Sequence, residues 1–301
     1  MDKPTALMPP AAMAPQTRAP QGACDTHVHL VAAKDEFPLW EGRVEDPARL
    51  SDQNGPDQNR PDLDGWLDLW RAQLDALGFS RGVIVHSILY GADNSVTVEA
   101  VRRMGDGFRG VGLLTDGASE ADVAQMAAWN MAAVRLNYVH GGVLTWDGVK
   151  AMAPMLDDHG LHVQMLCHAH QHMEGLAGDV RALPVDVCFD HIAWPDLSLG
   201  PDHPGIQTLC QLLAEGKTWV KLSALYRLCD APYDAADEIV AALVAANPER
   251  CLWGSDWPHL MLADAKMPAS AVLLDAFHRV VTDTETRYRI LVSNPAQLYG
   301  F

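Results

Sequence analysis

The 301-residue sequence predicts an α/β fold, a (β/α)8 TIM barrel in a single domain. Three observations predict it. Eight short apolar runs recur along the chain, each followed by a loop and an amphipathic stretch. The runs lack polar alternation, as strands of a parallel sheet buried on both faces do. Eight strand–helix units between residues 21 and 301 is the count of such a barrel. A doubly wound open sheet competes, but no Gly-rich turn follows the first strand to support it.

The elements follow in order. The strand runs are "GACDTHVHL" from residue 22, "GVIVHSIL" (82–89), "FRGVGLL" (108–114), "AAVRLNY" (132–138), "HVQMLC" (162–167), "VDVCFDH" (185–191), "TWVKLSAL" (218–225) and "CLWGSDW" (251–257). Between them lie helical patterns at 65–77, 94–104, 119–129, 145–160, 171–182, 205–216 and 235–248, with a last helical region after residue 269. Most begin near Ser, Thr, Asp or Asn and several stop at Gly, the chemistry that caps helix ends. Residues 33–63 form a long connection after the first strand, of the length that usually serves as a lid or is disordered. Residues 1–20 are a Pro/Ala-rich arm, free to wrap the body or a neighbouring subunit.

Charge and cysteine usage exclude several classes of partner. With 39 acidic against 22 basic side chains the net charge is −17, which argues against a nucleic-acid backbone or an anionic membrane surface. A small anionic substrate is compatible with that background where a few arginines are placed locally. The six cysteines show no C-x-x-C spacing and read as free thiols in a reducing cytoplasm. No stretch has the uninterrupted apolar length of a membrane span. A homo-oligomer is compatible with all of this.

In such barrels the chemistry sits at the carboxyl ends of the strands. On the first strand His27 and His29 alternate and project to one face. The second strand carries His86, the fourth Arg135 and Asn137, and the fifth runs into His168 and His170. The sixth ends in Asp190 and His191, the seventh is followed by Tyr226 and Arg227, and the eighth carries Asp256. A lone histidine at a strand end is usually a hydrogen-bonded structural residue, and Asp190 reads equally well as an acceptor for backbone N–H groups of the next turn. The joint pattern of H-x-H on the first strand, His on the sixth and Asp on the last is more specific.

"DTHVH", "FDHIAWPD", "WVKLSALYRL", "LWGSDWPH" and "SNPAQLYGF" together resemble the amidohydrolase superfamily. The branch is that of 2-pyrone-4,6-dicarboxylate lactonase, galactarolactone isomerase and 4-sulfomuconolactone hydrolase. The resemblance implies a barrel enzyme that opens a small carboxylated lactone. It implies that His27, His29 and His191 are site histidines and that Asp256 activates water. The galactarolactone isomerase has Asn at that last position, so retention of the acid favours hydrolysis. Arg135 and Arg227 fall on arginines that the pyrone-dicarboxylate lactonase turns against substrate carboxylates. Two more of its arginines fall on Trp194 and on "VHGG" here. Tyr226, Trp194 and His168 complete the expected substrate contacts.

The expected chemistry is hydrolysis by Asp-activated water, with no cofactor required. The alternative is one divalent metal, Zn²⁺ above all, on His27, His29, His191 and Asp256, joined by His168 or His170. Strand four offers Arg135 where binuclear hydrolases carry a carboxylated lysine. Two further readings are a metal-dependent decarboxylase of a small aromatic or dienoic acid, favoured by His168 with His170, and a lactone isomerase. A non-catalytic barrel would not explain why every expected strand-end acid and base is intact.

Overall fold

The structure is a computed structural model that describes residues 3–50 and 62–301. Its eight strands are β1 (Cys24–Val28), β2 (Arg81–Val85), β3 (Phe108–Gly112), β4 (Met131–Asn137), β5 (His162–Leu166), β6 (Val187–Phe189), β7 (Thr218–Ser223) and β8 (Cys251–Gly254). They are parallel neighbours in chain order from β1 to β8. Helices α1 (Asp62–Leu77), α2 (Ser95–Met104), α3 (Glu120–Ala128), α4 (Trp146–Asp158), α5 (Ala169–Ala182), α6 (Pro204–Ala214), α7 (Asp237–Ala246) and α8 (Ser270–Val280) alternate with them. A closing segment holds α9 (Thr284–Tyr288) and α10 (Asn294–Tyr299), joined by a π-turn. The fold is the single-domain barrel that the eight apolar runs predict.

Local chemistry sets the boundaries. Ser119 and Asp122 form a reciprocal capping box at the start of α3, and Thr145 caps α4 through Gly148 N. The chain leaves α1 through Gly78 at φ 93°, a left-handed position that suits glycine.

The barrel closes between β8 and β1 through a seam of mixed contacts. Asp256 N donates to His27 O at 2.9 Å and His29 N to Trp257 O at 2.8 Å. Asp25 takes Ser255 N at 2.9 Å and Ser255 Oγ at 2.6 Å, and Thr26 Oγ1 donates to Trp253 O at 2.8 Å. Gly254 permits this approach: a Cβ there would stand 2.6 Å from His27 Cβ. The floor is apolar, with Cys24, Cys188, Trp219 and Leu252 packed around Tyr299 of the closing segment. Above it, period-two alternation puts Lys221 and then Ser223 on the same face of β7 as Trp219.

Two strand ends are set by left-handed backbone. β6 ends at Phe189 because His191, Ile192, Ala193 and Trp194 all adopt left-handed backbone, with φ from 38° to 57°. β8 ends at Gly254, and Asp256 sits at φ 60°. Left-handed non-glycine residues cost on the order of 1–2 kcal/mol each and concentrate where a site requires them.

The arm lies along the body over its described residues. Ala19 N donates to Leu77 O at 2.9 Å, Gln16 N to Asp275 Oδ1 at 2.8 Å, and Ala6 N to Asp46 O at 2.8 Å. It thereby ties down part of the connection after β1, which itself reaches the strand ends through Trp40 N to Leu89 O and Met261 N to Glu45 Oε1. Residues 51–61 of that connection lie outside the described residues.

Candidate active site

His27 and His29 face one another across the top of the barrel, with their Nε2 atoms 3.3 Å apart. His29 Nδ1 lies 2.8 Å from Val85 O. A carbonyl only accepts, so that nitrogen carries a proton, and in the neutral form of the ring Nε2 is a bare lone pair. His27 Nδ1 lies 3.2 Å from Asp190 Oδ1. Burial first of all, with Lys221 and His191, drives the His27 pKa well below the usual imidazole range against the pull of Asp190.

Asp256 is fully buried at the end of β8 and its two oxygens differ. Oδ2 accepts from Tyr226 OH at 2.7 Å and Arg227 Nε at 3.2 Å. Oδ1 has no hydrogen-bond partner and stands 3.4 Å from His29 Nε2 and 3.7 Å from His27 Nε2. Burial raises its pKa, but Arg227 foremost and the three histidines outweigh it and hold the group well below the usual carboxylate range. His191 completes the group, its ring 4.7 Å from that of His27 and its Nδ1 2.9 Å from Ser223 Oγ. Burial lowers its pKa to about 4.

The substrate-side residues separate into committed and uncommitted groups. Arg227 also donates to Leu260 O at 2.8 Å and Met261 O at 3.0 Å, so its guanidinium braces Asp256 and the loop after β8. Arg135 spends one nitrogen on His86 O at 2.7 Å, while its Nε is buried without a partner. That unspent donor is where a carboxylate can be gripped. Trp194 stands between Arg227, His191 and His168, at 6.0, 6.3 and 5.6 Å.

His168 donates Nδ1 to Trp194 O at 3.0 Å, and His170 Nδ1 accepts from Asp196 N at 3.0 Å. They group with His172 and His203 at the rim. The residues with donor atoms close enough to share an ion, among those described, are His27–His29–Asp256 and His27–Asp190–His191. The expected four residues are therefore divided between two triads that share His27, the second of which includes Asp190, and neither His168 nor His170 belongs to them. In the first triad the donor separations of 3.3, 3.4 and 3.7 Å are close to the edges of a tetrahedron with bonds of about 2.0–2.2 Å. An orphaned buried carboxylate oxygen facing two imidazole nitrogens fits a divalent cation.

Sequence reasoning missed two members, Lys221 and Gln164, and left the role of a third, Asp190, open. Lys221 is fully buried on β7, and its Nζ donates to Thr26 O at 2.8 Å and Gln164 Oε1 at 2.6 Å. Gln164 Nε2 in turn donates to Asp190 Oδ2 at 3.1 Å. Asp190 is thus no acceptor for the next turn's backbone; its carboxylate faces His27, Lys221 and Gln164 inside the barrel. The signal was there: lone polar residues in "HVQMLC" and "TWVKLSAL", strands buried on both faces, must find partners.

Comparison with known proteins bears on this arrangement. The model of the amidohydrolase family matches residues 24–301. The chain is 30% identical to a 2-pyrone-4,6-dicarboxylate hydrolase of Comamonas testosteroni, over 95% of this chain and 92% of that one. It is 31% identical to a 4-sulfomuconolactone hydrolase of Rhizobium radiobacter, over 93% and 91% of the two chains. A crystal structure from Pseudomonas putida assigned as a 2-pyrone-4,6-dicarboxylic acid hydrolase is similar with a TM-score of 0.75 at 26% identity, over 93% of this chain and 98% of that one.

Proposed function

The chain belongs to the amidohydrolase family, and from that premise we propose that it is a hydrolase opening the ring of a small carboxylated lactone with water activated by Asp256. One observation carries the reading: a buried carboxylate has one oxygen braced by Tyr226 and Arg227 and the other unpartnered at the mouth of the barrel. Two relatives that share its length, at 30% and 31% identity, are named hydrolases of a pyrone dicarboxylate and a sulfomuconolactone, both anionic lactones; a third, at 26%, is named a D-galactarolactone isomerase.

Arg135 grips a substrate carboxylate with its unspent Nε edge and turns the lactone carbonyl toward Asp256. Asp256 Oδ1 takes a proton from water as its oxygen attacks that carbonyl. His191, with Nδ1 on Ser223, has Nε2 left to donate to the developing oxyanion. When the tetrahedral intermediate collapses, the C–O bond of the ring breaks and the proton held on Asp256 Oδ1 passes to the leaving alkoxide. Trp194, beside His191 and Arg227, walls the site from water.

His27 Nε2, His29 Nε2 and Asp256 Oδ1 would hold a divalent ion, with zinc matching the imidazole and carboxylate donors. Bound there it would polarise the carbonyl and acidify the attacking water. A decarboxylase reading loses its supporting feature, since His168 and His170 stand outside both triads. Among the described residues no helix is long and apolar enough to cross a membrane. The six free cysteines suit a cytoplasmic setting.

Proton release from a panel of lactones with none, one and two carboxylates tests the function. Turnover restricted to carboxylated lactones is expected, and release of carbon dioxide from small acids without lactone opening would overturn it. Elemental analysis and activity after chelation measure the part played by an ion.

A further inference from the structure

Lys221 takes no part in the reaction above, yet its side chain is wholly buried at the centre of the barrel. An ammonium has three N–H groups, and two go to Thr26 O and Gln164 Oε1. For the third, two acceptors compete: His27 Nδ1 at 3.4 Å and Asp190 Oδ1 at 3.6 Å. The amide of Gln164 is oriented by its neighbours, because its Nε2 meets a carboxylate that only accepts and its Oε1 an ammonium that only donates.

His27 thus has two tautomers with different partners. With the proton on Nδ1 the ring turns its positive edge to Asp190 Oδ1, 3.2 Å away and otherwise without a hydrogen-bond partner. Its Nε2 is then a bare lone pair 3.3 Å from the bare Nε2 of His29, and Asp256 Oδ1 faces both. Three electron-rich atoms around one point repel each other unless a cation lies between them. With Nδ1 accepting from Lys221 instead, Nε2 carries the proton and donates toward His29 Nε2. The pair is then satisfied with no ion.

We propose that Lys221 is the positioning residue that sets the affinity of the His27–His29–Asp256 donors for a divalent cation, by competing with Asp190 for His27 Nδ1. Asp190 favours the ion-holding tautomer. Lys221 favours the ion-free one and adds a fixed positive charge beside the donors. This role presupposes the hydrolase reading only in taking those three residues as the centre of the site.

The test is zinc binding by the full chain, stripped with a chelator and titrated against a chromophoric competitor. Lys221→Met is expected to bind Zn²⁺ about tenfold tighter or more, since it removes both the competing donor and the charge. Asp190→Asn is expected to bind it about 10–100-fold more weakly, the usual effect of losing the partner of a ligating histidine. A lysine that merely fills the core would weaken binding on removal, so unchanged or weaker binding by Lys221→Met overturns the proposal. If that variant fails to fold, Asp190→Asn decides, and its unchanged affinity overturns it. Absence of zinc binding by both the parent and Lys221→Met also overturns it. Turnover is scored separately on the parent: lactone opening with unshifted affinities sinks the role of Lys221 alone, and shifted affinities without lactone opening sink the hydrolase reading alone.

Discussion

Asp256→Asn separates the base from its scaffold. In the parent, Oδ2 accepts from Tyr226 OH at 2.7 Å and Arg227 Nε at 3.2 Å. An asparagine carbonyl can take that place and keep both donors. Its amide then points where Oδ1 was, toward His29 Nε2 at 3.4 Å and His27 Nε2 at 3.7 Å. In the variant the Tyr226 bond falls from a charge-assisted one of about 1.5–3 kcal/mol to a neutral one of about 0.5–1.5 kcal/mol, while the Arg227 bond keeps the charge of its guanidinium. Stability should therefore change by only roughly 1–2 kcal/mol, a Tm shift within about 5 °C for a chain of this size. Turnover should behave differently, because an amide cannot take a proton from water. Loss of a general base lowers kcat about 10²–10⁴-fold, while KM, set by Arg135, should hold. The assay is proton release on a carboxylated lactone, paired with thermal unfolding of the same preparation. A folded variant with kcat within about tenfold of the parent would refute Asp256 as the base, and a variant that does not fold would refute the hydrogen-bond bookkeeping around Oδ2.

Arg135→Met should raise KM for a carboxylated lactone about 10–100-fold, the worth of a charged hydrogen-bond pair, and leave an uncharged lactone nearly untouched; equal effects on both would show that Arg135 does not read the carboxylate. Acid should destabilise the fold in a window set by buried histidines. Burial depresses His162 and His259 to about 3 and His86 to about 4. These folded values lie below the unfolded value of about 6.5, so the unfolded chain binds more protons as pH falls. Stability is fully present above that value and is lost toward the folded ones, at about 1.4 kcal/mol per histidine per pH unit. Denaturant midpoints should drop steeply between pH 6.5 and 5, and a flat profile there contradicts neutral burial. Gly254→Ala should cost about 1–3 kcal/mol by overpacking, because its Cβ would meet His27 N at 2.9 Å and His27 Cβ at 2.6 Å; an unchanged Tm would mean that the seam yields.

The strands were legible because a parallel sheet covered on both faces leaves little room for polar alternation, and each of the eight apolar runs overlaps one, with starts within two residues. Their ends were less so. Residues 191–194 and Asp256 turn left-handed without a glycine to announce it, just beyond the ends of β6 and β8. At the site, His27, His29, His191 and Asp256 could be named from strand-end position and motif, and the structure brings them together. Arg227 was legible as a site residue but not in its bracing of Asp256, since nothing in one dimension says that Leu260 and Met261 turn their carbonyls toward it. Lys221 shows where such reading stops. A lysine inside a strand buried on both faces must be paired, so "TWVKLSAL" already demands an acceptor. Its partners come from residues 26 and 164, with residues 27 and 190 beside them. Four segments distant in sequence meet there because the barrel turns one residue of each toward its axis. The side chains that govern the site are therefore those whose partners only closure of the sheet can supply.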